Sequence, residues 1–486
     1  MHTLSNDMGV AVIMSSPELY DWQVDHVNKL TFAVKKFNGA IDASDMGTGK
    51  TIMALKVAEK CGLRPVIVCP KILIPVWKKW VGEFFPMFKP VVFNYESLTR
   101  GKKASKYIEK KGKRFRWLLD PSKAMLIFDE VHRCKGTNTL NSKLLASAKD
   151  AKVKTLMLSA TACFDPREMR GLGYVLGLHS YRDHWVWCLR NGCRKGYFGG
   201  LEFKGSSKCL TRLHDDIFGS GLKGSRIRIA DLPEGSFPDN FVEARSYDVG
   251  NSGIKTVDEM YEEMVAEVLN GELEEDDVNG LTVQLRTRQN VESLKVHTLV
   301  ELAIEAIAEG IKPVIFVNFR ETLEKVTEEL ERHGVINISR IHGDQTDDRR
   351  ESNIDAFQSN KSDACICTIQ AGGVGLSLHD TDGNHPRMSL ICPAFSAIDL
   401  KQALGRIHRA GGKSVSRQYI VFASDSVEDE VCKAVNRKLN NLDLLNDGDL
   451  NDPIFNKFNE TTNTNKSVLH KSEKPSIKEE TCHSRY

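Results

Sequence analysis

No apolar run in this 486-residue chain is long enough to cross a bilayer, and no secretory signal is visible at the N-terminus. A soluble, intracellular protein with no membrane partner is therefore expected. Charge of one sign is missing too. The formal net charge is +2, so any polyanion must be met by local patches rather than by the field of the whole molecule. No self-similarity at solenoid period is present, which excludes a stacked-repeat architecture. The twelve cysteines do not have the spacing expected of a disulfide framework. They are scattered, and Cys69, Cys163 and Cys392 fall inside apolar stretches, which suits a reducing compartment.

What is present begins with Ala43-Ser44-Asp45-Met46-Gly47-Thr48-Gly49-Lys50-Thr51, followed by the helical-looking Ile52-Met53-Ala54-Leu55. Glycines let a backbone wrap phosphate oxygens, and the amides of the following helix N-terminus point at them. In such a loop Lys50 reaches the β- and γ-phosphates and the Thr51 hydroxyl ligates Mg²⁺. Ser44 stands where the pattern has its first glycine. About eighty residues on, the apolar run Ala124–Phe128 ends in Asp129-Glu130-Val131-His132. A buried parallel strand whose C-terminal end opens on a ligand has this form. Asp129 there can hold Mg²⁺ through water, and Glu130 can orient or deprotonate an attacking water. Loop and strand together describe a nucleotide hydrolase.

At this length the chain has room for two or three domains. Short β-branched runs alternate with helical patterns at 65–70, 91–95, 126–130 and 155–159, and again at 311–317, 364–368, 388–392 and 417–422. This alternation predicts α/β architecture, with parallel sheets covered by helices on both faces. Residues 258–277 form an acidic, helical run read as a solvated face, and from Asn451 the composition turns polar enough to predict disorder.

Further signatures keep a fixed order. Tyr20-Asp21-Trp22-Gln23 precedes the phosphate loop, and a glutamine amide can pair with both edges of adenine. Ser159-Ala160-Thr161 closes a first-block strand. Thr368-Ile369-Gln370-Ala371-Gly372-Gly373-Val374-Gly375 follows a second-block strand. Gln402 to Gly411 places Arg406 and Arg409 on one side of a helix, as arginine fingers that could enter a shared cleft.

This series resembles the superfamily 2 helicases, and more closely their SNF2-type branch of DNA-dependent ATPases, over roughly residues 15–440. A fainter likeness, in Trp185 to His214, is to the annealing-helicase members of that branch. The resemblance implies two RecA-like lobes with a cleft between them: 1–180 as the ATP-binding lobe, 181–290 as insertion and linker, 291–450 as the helicase lobe, and 451–486 as a tail. It implies ATP and Mg²⁺ as cofactors. Gln23, Asp45, Met46, Gly47, Thr48, Gly49, Lys50, Thr51, Gly375, Arg406 and Arg409 would bind nucleotide. Asp129, Glu130, Lys50, Arg406 and Arg409 would be catalytic, with Thr51 and Asp129 serving Mg²⁺. His132, Ser159, Thr161 and Gln402 would couple hydrolysis to motion, His132 by bridging the lobes. Pro70, Lys71, Asn318 and Thr368 would touch nucleic acid, either duplex or forked DNA or else RNA. A nuclease or a replication or repair protein is a conceivable partner. The expected setting is a bacterial or virus-infected cytoplasm, or a nucleus. Three features depart from the branch. Ser-Ala-Thr replaces its more usual Thr-Gly-Thr, Ala410-Gly411-Gly412 lacks the usual terminal glutamine, and the material between the lobes is short. A strand-separating helicase and a binding scaffold with a decayed ATPase remain as alternatives.

Two clusters admit two readings each. Cys188, Cys193, Cys209 and His214 could make a tetrahedral zinc site, or be ordinary reduced cysteines. Lys102, Lys103, Lys106, Lys110, Lys111, Lys113, Arg114 and Arg116 could be a solvated face or a contact for a nucleic-acid backbone. Phe115 and Trp117 beside them could stack on exposed bases. Trp77 and Trp80, at helical spacing, are expected to pack.

Overall fold

The computed structural model describes residues 17–100, 106–197, 199–247, 280–372, 376–394 and 396–423, with isolated positions between 259 and 266 and between 426 and 447. Most of the acidic run 258–277, the tail 451–486, Lys102, Lys103 and Gly375 lie outside the described residues.

In chain order the described strands are β1 (Gly39–Asp42), β2 (Arg64–Cys69), β3 (Val91–Asn94), β4 (Ile108–Lys111), β5 (Arg114–Trp117), β6 (Ala124–Asp129), β7 (Lys154–Leu158), β8 (Cys193–Lys195), β9 (Leu201–Phe203), β10 (Gly224–Ser225), β11 (Asn240–Tyr247), β12 (Lys312–Val317), β13 (Ile338–Ile341), β14 (Ala364–Thr368), β15 (Arg387–Ile391) and β16 (Ser416–Ala423). Two six-stranded sheets result, ordered β10-β1-β7-β6-β2-β3 and β11-β16-β15-β12-β14-β13. Every pairing in both is parallel. The two small hairpins β4–β5 and β8–β9 are antiparallel. The α/β architecture is that of two RecA-like lobes.

Burial on both faces explains why the strands read as continuous apolar runs. All six residues of β6 are buried. Because successive strand residues face opposite ways, Ile67 and Ile127 pack with Leu30, Met53 and Trp77 on one face of the first sheet. Val68, Leu126 and Phe128 pack with Leu144, Leu145 and Leu172 on the other. The second sheet divides in the same way. Ile315, Ile366 and Leu390 meet the helices Val296–Ala308 and Arg320–Arg332, while Phe316 and Cys367 meet Phe357 and Leu400.

The lobe boundaries differ from those expected. Leu213 and Ile217, on the helix Ser207–Ile217, complete the first lobe's core, and β10 pairs with β1, so that lobe continues to Ser225 rather than ending at 180. β11 is the outer strand of the second sheet, which therefore begins at Asn240 and not after 290. The sequence hid both for physical reasons: β10 has two residues, and β11 is an edge strand whose apolar run is broken by Glu243, Arg245 and Ser246. Near the C-terminal end the chain crosses back, and Leu445 is 2% exposed in the core of the first lobe.

Imidazoles withdrawn from water, His184 fully buried and His379 partly, tie this fold to pH. Burial pushes His184 and His379 from 6.5 down to about 4. The unfolded chain takes protons at these positions near pH 6.5, whereas the folded chain resists until about 4. Their contribution is complete above pH 6.5 and is lost as pH falls toward 4. The exposed His297, raised by Glu329 and Glu301, works weakly in the opposite direction. Tm is expected to drop between pH 7 and pH 5, with a shallower drop in His184→Gln, read by thermal denaturation across that range. An unchanged slope in the variant would remove His184 from the account.

Candidate nucleotide site and nucleic-acid cleft

The loop after β1 turns at Gly47 and Gly49, whose φ of 80° and 86° suit only glycine well. Ser44 is buried and fully used. Its amide donates to Asp42 Oδ1 at 2.9 Å, its Oγ accepts from the Ile227 amide at 3.0 Å, and His26 Nε2 lies 3.3 Å from the same Oγ. The serine in the glycine position thus ties the loop to the segment leading into the second lobe. Lys50 opens the helix Lys50–Cys61, and its Nζ donates to the carbonyls of Ser44 and Asp45, both at 2.8 Å. Burial lowers its pKa against the pull of Asp42, Glu130, Asp45 and Asp129. Thr51 follows, partly buried, in the first turn of that helix.

Asp129 ends β6 and Glu130 follows it at φ 52°, ψ 52°, a left-handed backbone that costs a non-glycine residue about 1–2 kcal/mol. Asp129 is fixed by the Trp77 indole, which donates to Oδ2 at 2.8 Å, and by the Tyr95 hydroxyl, which donates to its carbonyl at 2.8 Å. Trp77 packs as expected from its spacing, but it also orients this carboxylate. Burial and the neighbouring charge of Glu130 raise Asp129 to about 7. Burial also works against ionised Glu130, yet the hydrogen bond and charge of His132 and the charge of Lys50 prevail and hold it at about 2.

The second lobe reaches this site through the helix Ala397–Leu404 and the turn after it. A Cβ on Gly405 would stand 2.8 Å from Met46 Cβ, and one on Gly47 would stand 3.1 Å from Arg409 Cα, so the lobes touch at the phosphate loop. Arg406 Nη1 donates to the Leu376 carbonyl and Arg409 Nε to the Gly405 carbonyl, each at 3.1 Å. Burial depresses Arg406 to about 9 and Arg409 to about 10, with Glu130 pulling both back up. Guanidinium does not shed its proton in practice. The depression instead measures the cost of holding cations in a desolvated seam. Lys50, Arg406 and Arg409 therefore form a donor set that fits a polyphosphate, and the Asp129 carboxylate with the Thr51 hydroxyl offers oxygens of the kind a divalent cation takes. Gln402, 2% exposed, has an Nε2 that hydrogen-bonds to none of the described residues, another donor suited to such a ligand.

The other expected site residues fall as follows. Gln23 uses half of its amide on the protein: Oε1 accepts from the Tyr20 amide at 3.0 Å and Nε2 donates to the Thr48 carbonyl at 2.8 Å. One lone pair and one hydrogen remain on that amide. Asp45 is engaged away from phosphate, with Arg226 at 3.0 Å and the Ile229 amide at 3.0 Å. His132 Nδ1 lies 3.2 Å from Glu130 Oε2 and 3.3 Å from Ser159 Oγ, which in turn accepts from the Thr161 amide at 3.1 Å. These contacts of His132 stay within the first lobe rather than bridging to the second, and they link the acid of β6 to the loop after β7.

On the other flank of the seam, a cleft of about 320 Å³ joins Pro70, Lys71 and Arg133 of the first lobe to Arg350, Gln370 and Ala371 of the second. Lys71 reaches across to Asp347 at 2.9 Å, but these side chains are 68% and 80% exposed. Such a pair is worth about 0–1 kcal/mol, so phosphates can replace it. Thr368 ends β14 two residues before Gln370, which lines the cleft, but does not itself line it. Asn318 is differently employed. Its Nδ2 donates to Glu292 Oε2 at 2.6 Å and to the Pro393 carbonyl at 2.8 Å, so both amide hydrogens are consumed. Donation to a phosphate would require breaking one of these bonds. Of the cysteine cluster, Cys188 and Cys193 meet each other, with His184 Nε2 3.3 Å from Cys188 Sγ, whereas His214 is employed elsewhere, its Nδ1 3.3 Å from the Leu445 carbonyl. Among the described residues no group of three metal-ligating side chains is assembled, and no helix is long and apolar enough to cross a membrane.

Comparison with known proteins adds the family. Residues 294–411 match the family described as Helicase conserved C-terminal domain. A protein of Acanthamoeba polyphaga mimivirus, named as a candidate ATP-dependent RNA helicase, is 34% identical over 484 residues, covering 92% of this chain and 86% of that relative. The chain belongs to the SNF2-like superfamily 2 helicases. It is an ATP-dependent helicase of that type and so a nucleic-acid-dependent ATPase. The Caenorhabditis elegans homolog of SWI/SNF-related matrix-associated actin-dependent regulator of chromatin subfamily A-like protein 1 is 23% identical over 450 residues, 87% of this chain and 61% of that relative. The Sulfolobus solfataricus SWI2/SNF2 ATPase core in complex with dsDNA matches 89% of this chain and 94% of its own, at 17% identity and a TM-score of 0.36.

This SNF2-like helicase also carries a clamp with no local sequence signal. Arg226, 5% exposed, donates to the Ala43 carbonyl at 2.7 Å and pairs with Asp45 and with Asp447, whose Oδ2 accepts from Nη2 at 2.9 Å. Burial opposes its charge, but Asp45 and Asp447 overcome that and raise its pKa. Beside it, Asn446 Nδ2 donates to the Ala160 carbonyl at 3.1 Å, and Lys401 of the second lobe pairs with Asp443 at 3.5 Å. Residues 443–447 thereby fasten the phosphate loop and the Ser159–Thr161 loop to the second lobe. Arg226→Ala leaves buried carboxylates unpaired and is expected to cost about 3–5 kcal/mol, read as a lower urea midpoint. A loss below about 1 kcal/mol would make the clamp a surface pair in energetic terms.

Proposed function

We propose that this helicase couples ATP hydrolysis to movement along duplex or forked DNA, gripping the phosphate backbone without needing to separate the strands. One observation supports the reading: the seam between the lobes has two flanks, and the first lobe's single sheet supplies strand ends to both. β1, β6 and β7 end at the nucleotide flank, and β2 and β14 end at the cleft of Pro70, Lys71, Arg133, Arg350 and Gln370. A shift of Arg406 and Arg409 against the phosphate loop must therefore also shift Gln370 and Arg350 against Lys71.

Lys50, Arg406 and Arg409 would hold the ATP phosphates and Gln23 the base. Thr51 and Asp129 would hold Mg²⁺, which supplies charge neutralisation of the transferring phosphoryl group. Glu130, kept ionised by His132 and Lys50, would take a proton from the attacking water. The path from Glu130 through His132 to Ser159 and Thr161 would report that event to the loop which Asn446 joins to the clamp. Lys71, Pro70 and Thr368 would meet phosphates, so affinity should be salt-sensitive and nearly sequence-blind.

The name of the mimivirus relative favours an RNA substrate as a second reading. Both are tested by steady-state ATP hydrolysis with no nucleic acid, single-stranded DNA, duplex DNA, forked DNA and RNA, with Lys50→Ala as control. Strong stimulation by duplex or forked DNA, lost in Lys50→Ala, is expected. Stimulation chiefly by RNA or single strands would replace the proposal with the unwinding reading.

A further inference from the structure

The chain between the helix Tyr95–Thr99 and β6 forms the β4–β5 hairpin, which sorts its residues by face. Ile108 pairs with Trp117, Lys110 with Phe115, Glu109 with Arg116 and Lys111 with Arg114. The face of Ile108 and Trp117 turns inward. Both residues are 3% exposed in the first lobe's core, and Trp117 stands edge-on to Phe128, the residue before Asp129. Lys110 shares that side, its Nζ donating to the Thr99 carbonyl. The stacking role expected for Trp117 is thereby ruled out, because its ring is consumed as an anchor.

Alternation of strand side chains sends the remaining charges outward. Lys111, Arg114 and Arg116 share the outer face with Glu109, and Lys113 stands at the tip beside Gly112; the four cations are exposed, as is Glu109. None of the four forms an ion pair with an acid among the described residues, and Glu109 is the one acid between Lys106 and Trp117. An anchored hairpin that keeps four cations in water on its outer face and tip, against one acid, is built differently from a solvated loop, in which charges of both signs are balanced. Its position adds to this. Tyr107 packs edge-on against Phe93 at 5.6 Å, and Asn94 and Glu96, immediately after, line the cleft beside Lys71 and Arg133. β3 is the edge strand of its sheet, and Tyr107, at the start of the hairpin, packs against it.

We infer that the outer face of the β4–β5 hairpin is a second contact for the phosphate backbone of duplex DNA, outside the cleft that both lobes share. The inference rests on the proposed nucleic-acid substrate and adds an anchor on the first lobe. The face offers cations and no exposed aromatic ring, which suits phosphates of a duplex rather than unpaired bases.

The test is direct binding of a short blunt DNA duplex by fluorescence anisotropy across a salt series, with duplex RNA as a parallel arm. Lys111→Ala, Lys113→Ala, Arg114→Ala and Arg116→Ala are combined, and Glu109→Gln is made separately. The combined variant should weaken DNA binding about tenfold or more at low salt and flatten the slope of log K against log salt by about 3–4 units, since each released counterion contributes about 0.9. Glu109→Gln should tighten binding, an effect that a folding defect cannot produce. ATP hydrolysis without nucleic acid should be unchanged in both. Equal slopes for wild type and the combined variant, or a loss confined to duplex RNA, would overturn the inference. Absence of nucleic-acid-stimulated ATPase in the wild type would instead strike the underlying proposal, while the salt slopes would still decide the hairpin.

Discussion

Replacing Arg406 by alanine is expected to lower nucleic-acid-stimulated kcat about 10³-fold or more, the range over which an arginine finger acts on phosphoryl transfer. The side chain is 3% exposed, sits on the second lobe and feels the charge of Glu130 on the first. Its charge is held in place by burial rather than by solvent, which makes it effective against the spreading charge of the transition state. Truncation also strands the Leu376 carbonyl, its present acceptor, at a cost of about 1–3 kcal/mol. That cost appears in Tm and is separable from kcat. Arg406→Lys keeps the charge but not the planar fork, so rescue should be partial. Steady-state kinetics at saturating ATP and nucleic acid read the effect. A kcat within about threefold of wild type would place Arg406 outside the reacting assembly.

Glu130→Gln is the second large effect, with kcat expected to fall about 10²–10⁴-fold, as for loss of a general base. The shape of the side chain is retained, so the left-handed backbone and the van der Waals contacts survive. What disappears is an anion that His132 and Lys50 keep ionised. Asp129 should respond in the opposite direction. Glu130 raises its pKa, so removing that charge lets Asp129 ionise more readily and preserves divalent-cation binding at neutral pH. Nucleotide affinity measured with a fluorescent ATP analogue should therefore hold while turnover collapses. A parallel loss of both would mean that Glu130 organises the site rather than serving the water.

Much of this was open to sequence reasoning because parallel strands buried on both faces leave unbroken β-branched runs. β2, β6, β12 and β14 were legible on that ground, and Lys50, Asp129, Glu130, Arg406 and Arg409 are brought to one seam. The remainder depended on distant pairings. Nothing near Arg226 announces Asp447, and nothing near Trp77 announces Asp129, because each contact joins segments that only the fold brings together. Ser44 read as a defect in a motif, yet its hydroxyl accepts from Ile227. Asn318 is expected at nucleic acid from the resemblance, and nothing beside it in the chain announces that Glu292 and Pro393 share its amide hydrogens. The basic run around Lys111 carried two readings in the sequence, and only the pairing register of β4 and β5 sorts its charges from its anchors.

Movement along a duplex without strand separation is the central claim, and displacement of a third strand tests it most directly. A labelled oligonucleotide wound into the major groove of a duplex is released when a motor runs beneath it, whether or not the duplex opens. The account predicts ATP-dependent release of that third strand by the wild type, none by Glu130→Gln, and no unwinding of the duplex itself. Unwinding of the duplex, or ATP hydrolysis with the third strand left in place, would contradict it.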